Sequence, residues 1–150
     1  MIDTYDLSRF LTAQAACLTD VERELRDGRK RTHWMWFVFP QLRGLGSSAM
    51  AQHYGIASLD EARAYLSHPI LGPRLVAHTR LVLKLGTPMH EVFGAPDDVK
   101  LRSCLTLFDA LNTDEAAFRE MLDKHFAGKR DERTLQLLDA QRTAVPRTAT

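Results

Sequence analysis

The chain has 150 residues, 45% of them apolar and 26% charged, which suits one soluble domain whose core needs no metal or disulfide to hold it. A formal net charge of +1 excludes a broad phosphate-binding surface, so no nucleic-acid partner is expected, although a small local patch of charge is allowed. No apolar run approaches the ~20 residues of a membrane span, and the start Met1-Ile2-Asp3-Thr4-Tyr5-Asp6 is acidic rather than basic-then-apolar, so a cytoplasmic protein that meets no membrane is expected.

Helical periodicity dominates from the start. Leu7, Phe10, Leu11, Gln14, Leu18, Val21 and Leu25 recur at three- and four-residue steps and predict one long helix. Asp6 is placed to cap it and Gly28 to end it. The triplet Arg29-Lys30-Arg31 follows, where the helix dipole favours cations.

Next comes His33-Trp34-Met35-Trp36-Phe37-Val38-Phe39-Pro40-Gln41, which holds both tryptophans of the chain. A run this short is either a buried strand or a helical turn by pattern alone. Pro40 stops it either way. No second strand is present to pair with it, so a short helix or an extended segment is expected.

Gly44 to Ser48 reads as a loop, with Ser47 or Ser48 capping a helix that reaches Tyr54. Ser58-Leu59-Asp60-Glu61 is a capping box, and His68-Pro69 breaks the chain. Leu71, Leu75, His78, Val82 and Leu85 mark one face of the next helix. Pro88 starts a short turn over Met89–Phe93, and Pro96 starts a helix running to Leu111. Asn112 to Glu115 is a capping box for a helix through Phe126, and Gly128 separates it from a last helix holding Leu135 and Leu138.

The expected fold is therefore all-α: a single domain over residues 1–141, built as an α-superhelix or irregular bundle of about seven or eight short helices. The polar stretch 142–150 is expected to be a flexible tail.

The helix from Asp97 to Leu111 is expected to lie at the centre. Leu101, Cys104, Leu105, Phe108 and Leu111 share one face, and Val99, Leu107 and Ala110 widen the apolar arc. Lys100 falls on the edge of that arc with Asp97 one turn before it. A lysine beside a core either pairs with a neighbouring acid or serves a ligand. Ser103 and Thr106 flank the same side, as ligand contacts or as donors to helix carbonyls. The aromatic run is either core or the wall of a pocket or interface, since Trp N–H groups want partners.

Other motifs carry less. Gly44-x-Gly46-x-x-Ala49 matches a dinucleotide fingerprint by letter but lacks the flanking strands that make it work. The six histidines show no recognised ligand spacing, so no metal and no cofactor are expected. His78 and His125 fall on apolar faces, as core histidines do, while His33 precedes the aromatic run and is a candidate to face a cleft. Cys17 and Cys104 are expected to be buried, unpaired thiols. No nucleophile elbow, phosphate loop or paired carboxylates stand out, so no catalytic set is assigned.

The His33–Gln41 stretch with Gly44-Leu45-Gly46-Ser47, then Tyr65-Leu66-x-His68-Pro69-x-Leu71-Gly72-x-Arg74-Leu75, then Phe93-Gly94-x-Pro96-Asp97-x-x-Lys100-Leu101-x-Ser103-x-x-Thr106-Leu107-Phe108 resembles a widespread family of unknown function whose members are often auto-named calpastatin. The resemblance runs from about Leu7 to Leu138 and implies a mainly helical, right-handed superhelix. It implies no activity. True calpain inhibitors are disordered, and this chain is too apolar for that.

Two functions remain. The first is a binding module or enzyme with a pocket for a small polar or anionic ligand, gathering Lys100, His33, Trp34, Trp36, Gln41, Ser103 and Thr106, with Asp97 beside the lysine. The second is a protein-interaction module anchored by residues 33–41 and rimmed by Arg29–Arg31. The discriminating observation is whether the tryptophans beside Lys100 line a concavity, form a convex patch or are fully buried.

Overall fold

The structure, a computed structural model, describes residues 3–144. Met1, Ile2 and the tail beyond Ala144 lie outside the described residues. Among the described residues ten helices follow one another: α1 (Ser8–Ala15), α2 (Leu18–Asp27), α3 (Met35–Val38), α4 (Ala49–Tyr54), α5 (Leu59–Ser67), α6 (Leu71–Leu83), α7 (Met89–Phe93), α8 (Asp97–Asp109), α9 (Ala117–His125) and α10 (Glu132–Ala144). The all-α, single-domain expectation holds. Among the described residues the only strand-like pairing is an isolated parallel bridge between Leu42 and Ile56.

These ten helices exceed the expected seven or eight, and the main reason lies in the N-terminal segment. The predicted first helix is two, broken at Ala16-Cys17. The apolar spacing is unbroken there, but its two halves serve different neighbours: α1 packs on α3, whereas α2 packs on α6. One straight rod cannot face both. The N-terminal cap also differs from the expectation. Asp6 sits at φ 53°, and it is the Asp3 carboxylate that accepts from the backbone N–H of Leu7 (2.7 Å) and Ser8 (2.9 Å). Gly28 ends α2 in the left-handed region at φ 74° as expected.

Other boundaries follow the sequence closely. Ser48 caps α4 by accepting from the Ala51 N–H, and Ser58 caps α5 by accepting from the Glu61 N–H. The capping box at Asn112–Glu115 does not form. Asn112 takes φ 54°, Thr113 and Glu115 accept from Glu115 and Ala117 N–H groups instead, and α9 begins only at Ala117. Arg142 and Thr143, assigned to the tail by the sequence, continue α10.

Helix α8 is central, as its wheel predicts. Leu101, Cys104, Leu105, Leu107 and Phe108 are buried, and α3, α5, α7, α9 and α10 all pack on it. Val99 departs from the wheel: it is 48% exposed, because the groove beside it is not filled by another helix. Cys104 is buried and Cys17 only partly so, a correction to the expectation that both are enclosed. Burial pushes both thiols up, and at Cys17 the nearby Asp20 and Glu24 charges add to it. His78 is buried 3.7 Å from the Glu22 carboxylate, and burial holds its pKa down against that charge.

Candidate functional site

The aromatic run splits into a closed half and an open half. Helix α3 is one turn long, so its consecutive side chains fan out in different directions. Trp34, just before it, is fully buried, and Met35, Phe37, Val38 and Phe39 are buried with it. Its ring meets Phe39 at 6.2 Å and Phe93 at 6.3 Å between centroids, tilted or edge-on as the ring quadrupoles prefer. The indole Nε1–H donates to Glu24 at 2.9 Å.

Glu24 organises this closed half. The same carboxylate, 2% exposed, also accepts from the Arg31 N–H (2.7 Å), the Thr32 N–H (3.1 Å) and the Thr32 hydroxyl (2.7 Å). Burial alone raises its pKa, but the four hydrogen bonds outweigh burial and hold it down at about 2.

Lys30 belongs to this half too, so of the triplet Arg29-Lys30-Arg31 only the two arginines stand on the surface. The Lys30 side chain is 7% exposed. Its ammonium lies 5.0 Å from the Trp34 ring centroid, donates to the Thr32 carbonyl at 2.6 Å and pairs with Asp97 at 2.8 Å. An ammonium so enclosed needs these partners.

The open half begins at Trp36. It lines a concavity of about 590 Å³, within the ~300–1,000 Å³ range of small-molecule sites. Three elements form the walls. The loop after α3 supplies Gln41, Leu45, Gly46, Ser47 and Ser48; the first turns of α8 supply Pro96, Val99, Lys100 and Ser103; the start of α10 supplies Asp131 and Arg133. Gln41 is fixed by the bridge, in which the Ile56 N–H donates to the Gln41 carbonyl (2.9 Å) and the Arg43 N–H to the Ile56 carbonyl (2.8 Å). Gly55 permits that close approach, since a Cβ there would sit 2.7 Å from the Arg43 Cβ.

Lys100 is the cation of the open half. Its ammonium lies 4.8 Å from the Trp36 ring centroid and 3.5 Å from Asp97. Asp97 is already held by Lys30 at the shorter distance. One carboxylate between two ammoniums leaves one positive charge uncompensated, and it falls on Lys100, the more exposed of the two at 25%.

The remaining candidates divide as follows. Ser103 lines the cavity, and its hydroxyl donates to the Val99 carbonyl. Thr106 is buried away from the cavity. It donates to the Arg102 carbonyl (2.8 Å) and accepts from the Asp131 N–H (2.9 Å), which pins the start of α10 against α8 and sets Asp131 and Arg133 at the rim. Asp97 holds the two lysines without lining the concavity. His33 is exposed and Trp34 enclosed, and neither reaches the cavity.

Comparison with known proteins supports the fold and leaves the chemistry open. A family described as "Protein of unknown function (DUF1810)" matches residues 4–138. The chain belongs to this family. No curated protein matches it. Among solved structures, this family member is similar to the conserved hypothetical protein Rv1873 from Mycobacterium tuberculosis, with 54% identity over 91% of this chain and 99% of that one and a TM-score of 0.90. Neither match carries the calpastatin name, and the buried core is the opposite of a disordered inhibitor.

Asp131 and Arg133 are not singled out by the sequence of this DUF1810 chain, although one signal is present. Asp131-Glu132-Arg133-Thr134 has an N-cap aspartate, which accepts from the Thr134 N–H and hydroxyl (2.9 and 2.6 Å). Arg133 then stands in the first helical turn, where the dipole disfavours a cation. No helix among the described residues is long and apolar enough to cross a membrane, and no group of three His, Cys, Asp or Glu there is placed to hold a metal.

Proposed function

We propose that this protein binds a small anionic ligand in the concavity between the Gln41–Ser48 loop, the start of α8 and the start of α10. The observation that supports it is Lys100. Its ammonium lies over Trp36 at the cavity wall, and its one acidic neighbour is already claimed by Lys30. Arg133 adds a second cation with no ion-pair partner among the described residues. Anions are held by such groups through charge-assisted hydrogen bonds.

A larger concavity of about 670 Å³ lies between α5 and α6, lined by Leu66, Gly72, Pro73 and Val76 with Asp114 and Glu115. It offers acids and no cation, and Glu115 is bonded to Arg80, so it is the poorer place for an anion. The interaction-module reading keeps little support, because Trp34, Phe37 and Phe39 are buried and Lys30 is enclosed. The two free cysteines favour a reducing cytoplasm as the site of action.

The test is a thermal-shift screen against phosphorylated and carboxylated metabolites. A ligand at a hundred times its Kd adds about 2.7 kcal/mol of stability. The expected result is a shift with an anionic compound that Lys100→Met removes. An equal shift in Lys100→Met, or none with any anion, overturns the reading.

A further inference from the structure

The cavity of the proposed function carries more information than its charge. We infer that its ligand is a nucleoside monophosphate: a flat nucleobase and a single phosphate on one molecule. The inference rests on that reading of the site and names the substrate class within it.

The apolar wall points to the base. Trp36 is joined there by Leu45, Pro96 and Val99, the last of these 48% exposed. A purely hydrophilic anion such as a sugar phosphate leaves these surfaces wet. A planar ring removes them from water, and base–aromatic stacking is favourable for every base because each has a π-face. Trp36 also borders a crevice of about 10 Å³ with Gln41, Met50, Ala51 and Tyr54, too small to admit part of a ring, so the base is confined to the larger hollow.

The polar groups fit the edge of a heteroaromatic ring. Gln41 lines both hollows, and its side-chain amide has no hydrogen-bond partner among the described residues. It presents a donor and an acceptor side by side, the pattern that a base edge complements. Asp131 uses one carboxylate oxygen, Oδ2, for both bonds to Thr134. Its other oxygen is an acceptor left for a ribose hydroxyl or a base amine. A hydrocarbon ring would offer neither group a hydrogen bond, whereas a base edge offers both one.

Charge limits the phosphate count. Lys30 and Asp97 cancel, so the cavity retains Lys100 and Arg133 against Asp131, one net positive charge. A phosphate monoester carries about −1.5 to −2 at neutral pH, which exceeds the site's single net positive charge by no more than about one. A triphosphate brings more charge than the site neutralises. The loop Gly44–Ser48 is also not a phosphate-cradling glycine loop, since no strand leads into it.

The experiment is isothermal titration of the full chain. The titrants are the adenosine, guanosine, cytidine and uridine 5′-monophosphates, then ribose 5-phosphate, inorganic phosphate, adenosine and ATP. We expect one nucleoside monophosphate to bind at least tenfold more tightly than ribose 5-phosphate or phosphate, with the triphosphate no tighter. Lys100→Met and Arg133→Ala are each expected to weaken it tenfold or more. Gln41→Ala is expected to narrow the difference between bases. Arg133 is exposed, so its replacement leaves the fold intact and keeps the test informative if Lys100→Met is unstable. Equal affinity for ribose 5-phosphate overturns the inference and leaves the anion site standing. Binding of adenosine as tight as the monophosphate, indifferent to both cations, overturns the anion site as well. No binding by any of these anions overturns the nucleotide inference, and the metabolite screen then decides the anion site separately.

Discussion

Lys30 with Trp34 and Lys100 with Trp36 are chemically the same pair, met twice on one aspartate. In each, an ammonium lies about 5 Å from an indole centroid, at 5.0 and 4.8 Å, and reaches Asp97. Their surroundings are opposite. Lys30 and Trp34 are enclosed and fully partnered, by Thr32, Asp97 and Glu24. Lys100 and Trp36 border an open concavity, and Asp97 is shared with the stronger claimant. What separates structure from function here is whether each polar atom already has its partner. A satisfied pair holds the core, and an unsatisfied one is available to a ligand.

The sharpest way to break the comparison is to delete the two rings. Trp34→Ala removes a fully buried indole and leaves Glu24 short of a donor, so a loss of about 3–5 kcal/mol is expected. Trp36→Ala is expected to cost about 1–2 kcal/mol. Chemical denaturation of both variants measures the ratio, and equal losses would show that Trp36 is as structural as Trp34.

Glu24 comes next. Its pKa lies near 2 in the fold against an ordinary value of 4.5. A depressed carboxylate contributes stability above the unfolded pKa, and that contribution disappears as the pH falls from about 4.5 toward 2. The shift corresponds to about 3 kcal/mol at neutral pH. Glu24→Gln is expected to lose stability of this order at about pH 7 and to flatten the acid limb of the stability curve. An unchanged acid limb would refute the account of Glu24 as the organiser.

The lysines give a smaller and more discriminating difference. Lys30→Met leaves Asp97 with its weaker partner and is expected to cost about 1–3 kcal/mol. Lys100→Met leaves the Lys30–Asp97 pair intact and is expected to cost less than about 1 kcal/mol or to stabilise, as loss of a functional polar group often does. The double variant tests their coupling through Asp97, and strict additivity would deny it. The smallest effect is kinetic: a water-soluble thiol reagent should label Cys17 slowly in the native state and Cys104 only after unfolding, following their exposure.

Much of the architecture is legible in the amino-acid pattern. Three-and-four spacing, Ser48, Ser58, Gly28 and the prolines place most of the helices within a residue or two, because caps and breakers act through local hydrogen bonds and φ. The centrality of α8 is legible for a related reason: a helix apolar nearly all round has nowhere to go but inside. The break between α1 and α2 is not, since the pattern runs through it and only the different positions of α3 and α6 impose the bend. Nor is the failed cap at Asn112, where chain geometry overrides a good signature.

For the site, sequence alone determined which residue types were available and that Lys100 lay at the edge of the core near Asp97. It set Trp36 and Gln41 in the same neighbourhood and could not separate Trp34 from Trp36. Tertiary structure decided that. Glu24, ten positions before Trp34, takes its indole N–H, and Lys30 takes Asp97 away from Lys100. Asp131 and Arg133 reach the cavity only because Thr106, twenty-five positions before Asp131, anchors the backbone there. Competition for a shared partner and the meeting of distant segments are properties of the folded chain, because no local pattern encodes which of two equal groups arrives first at a single carboxylate.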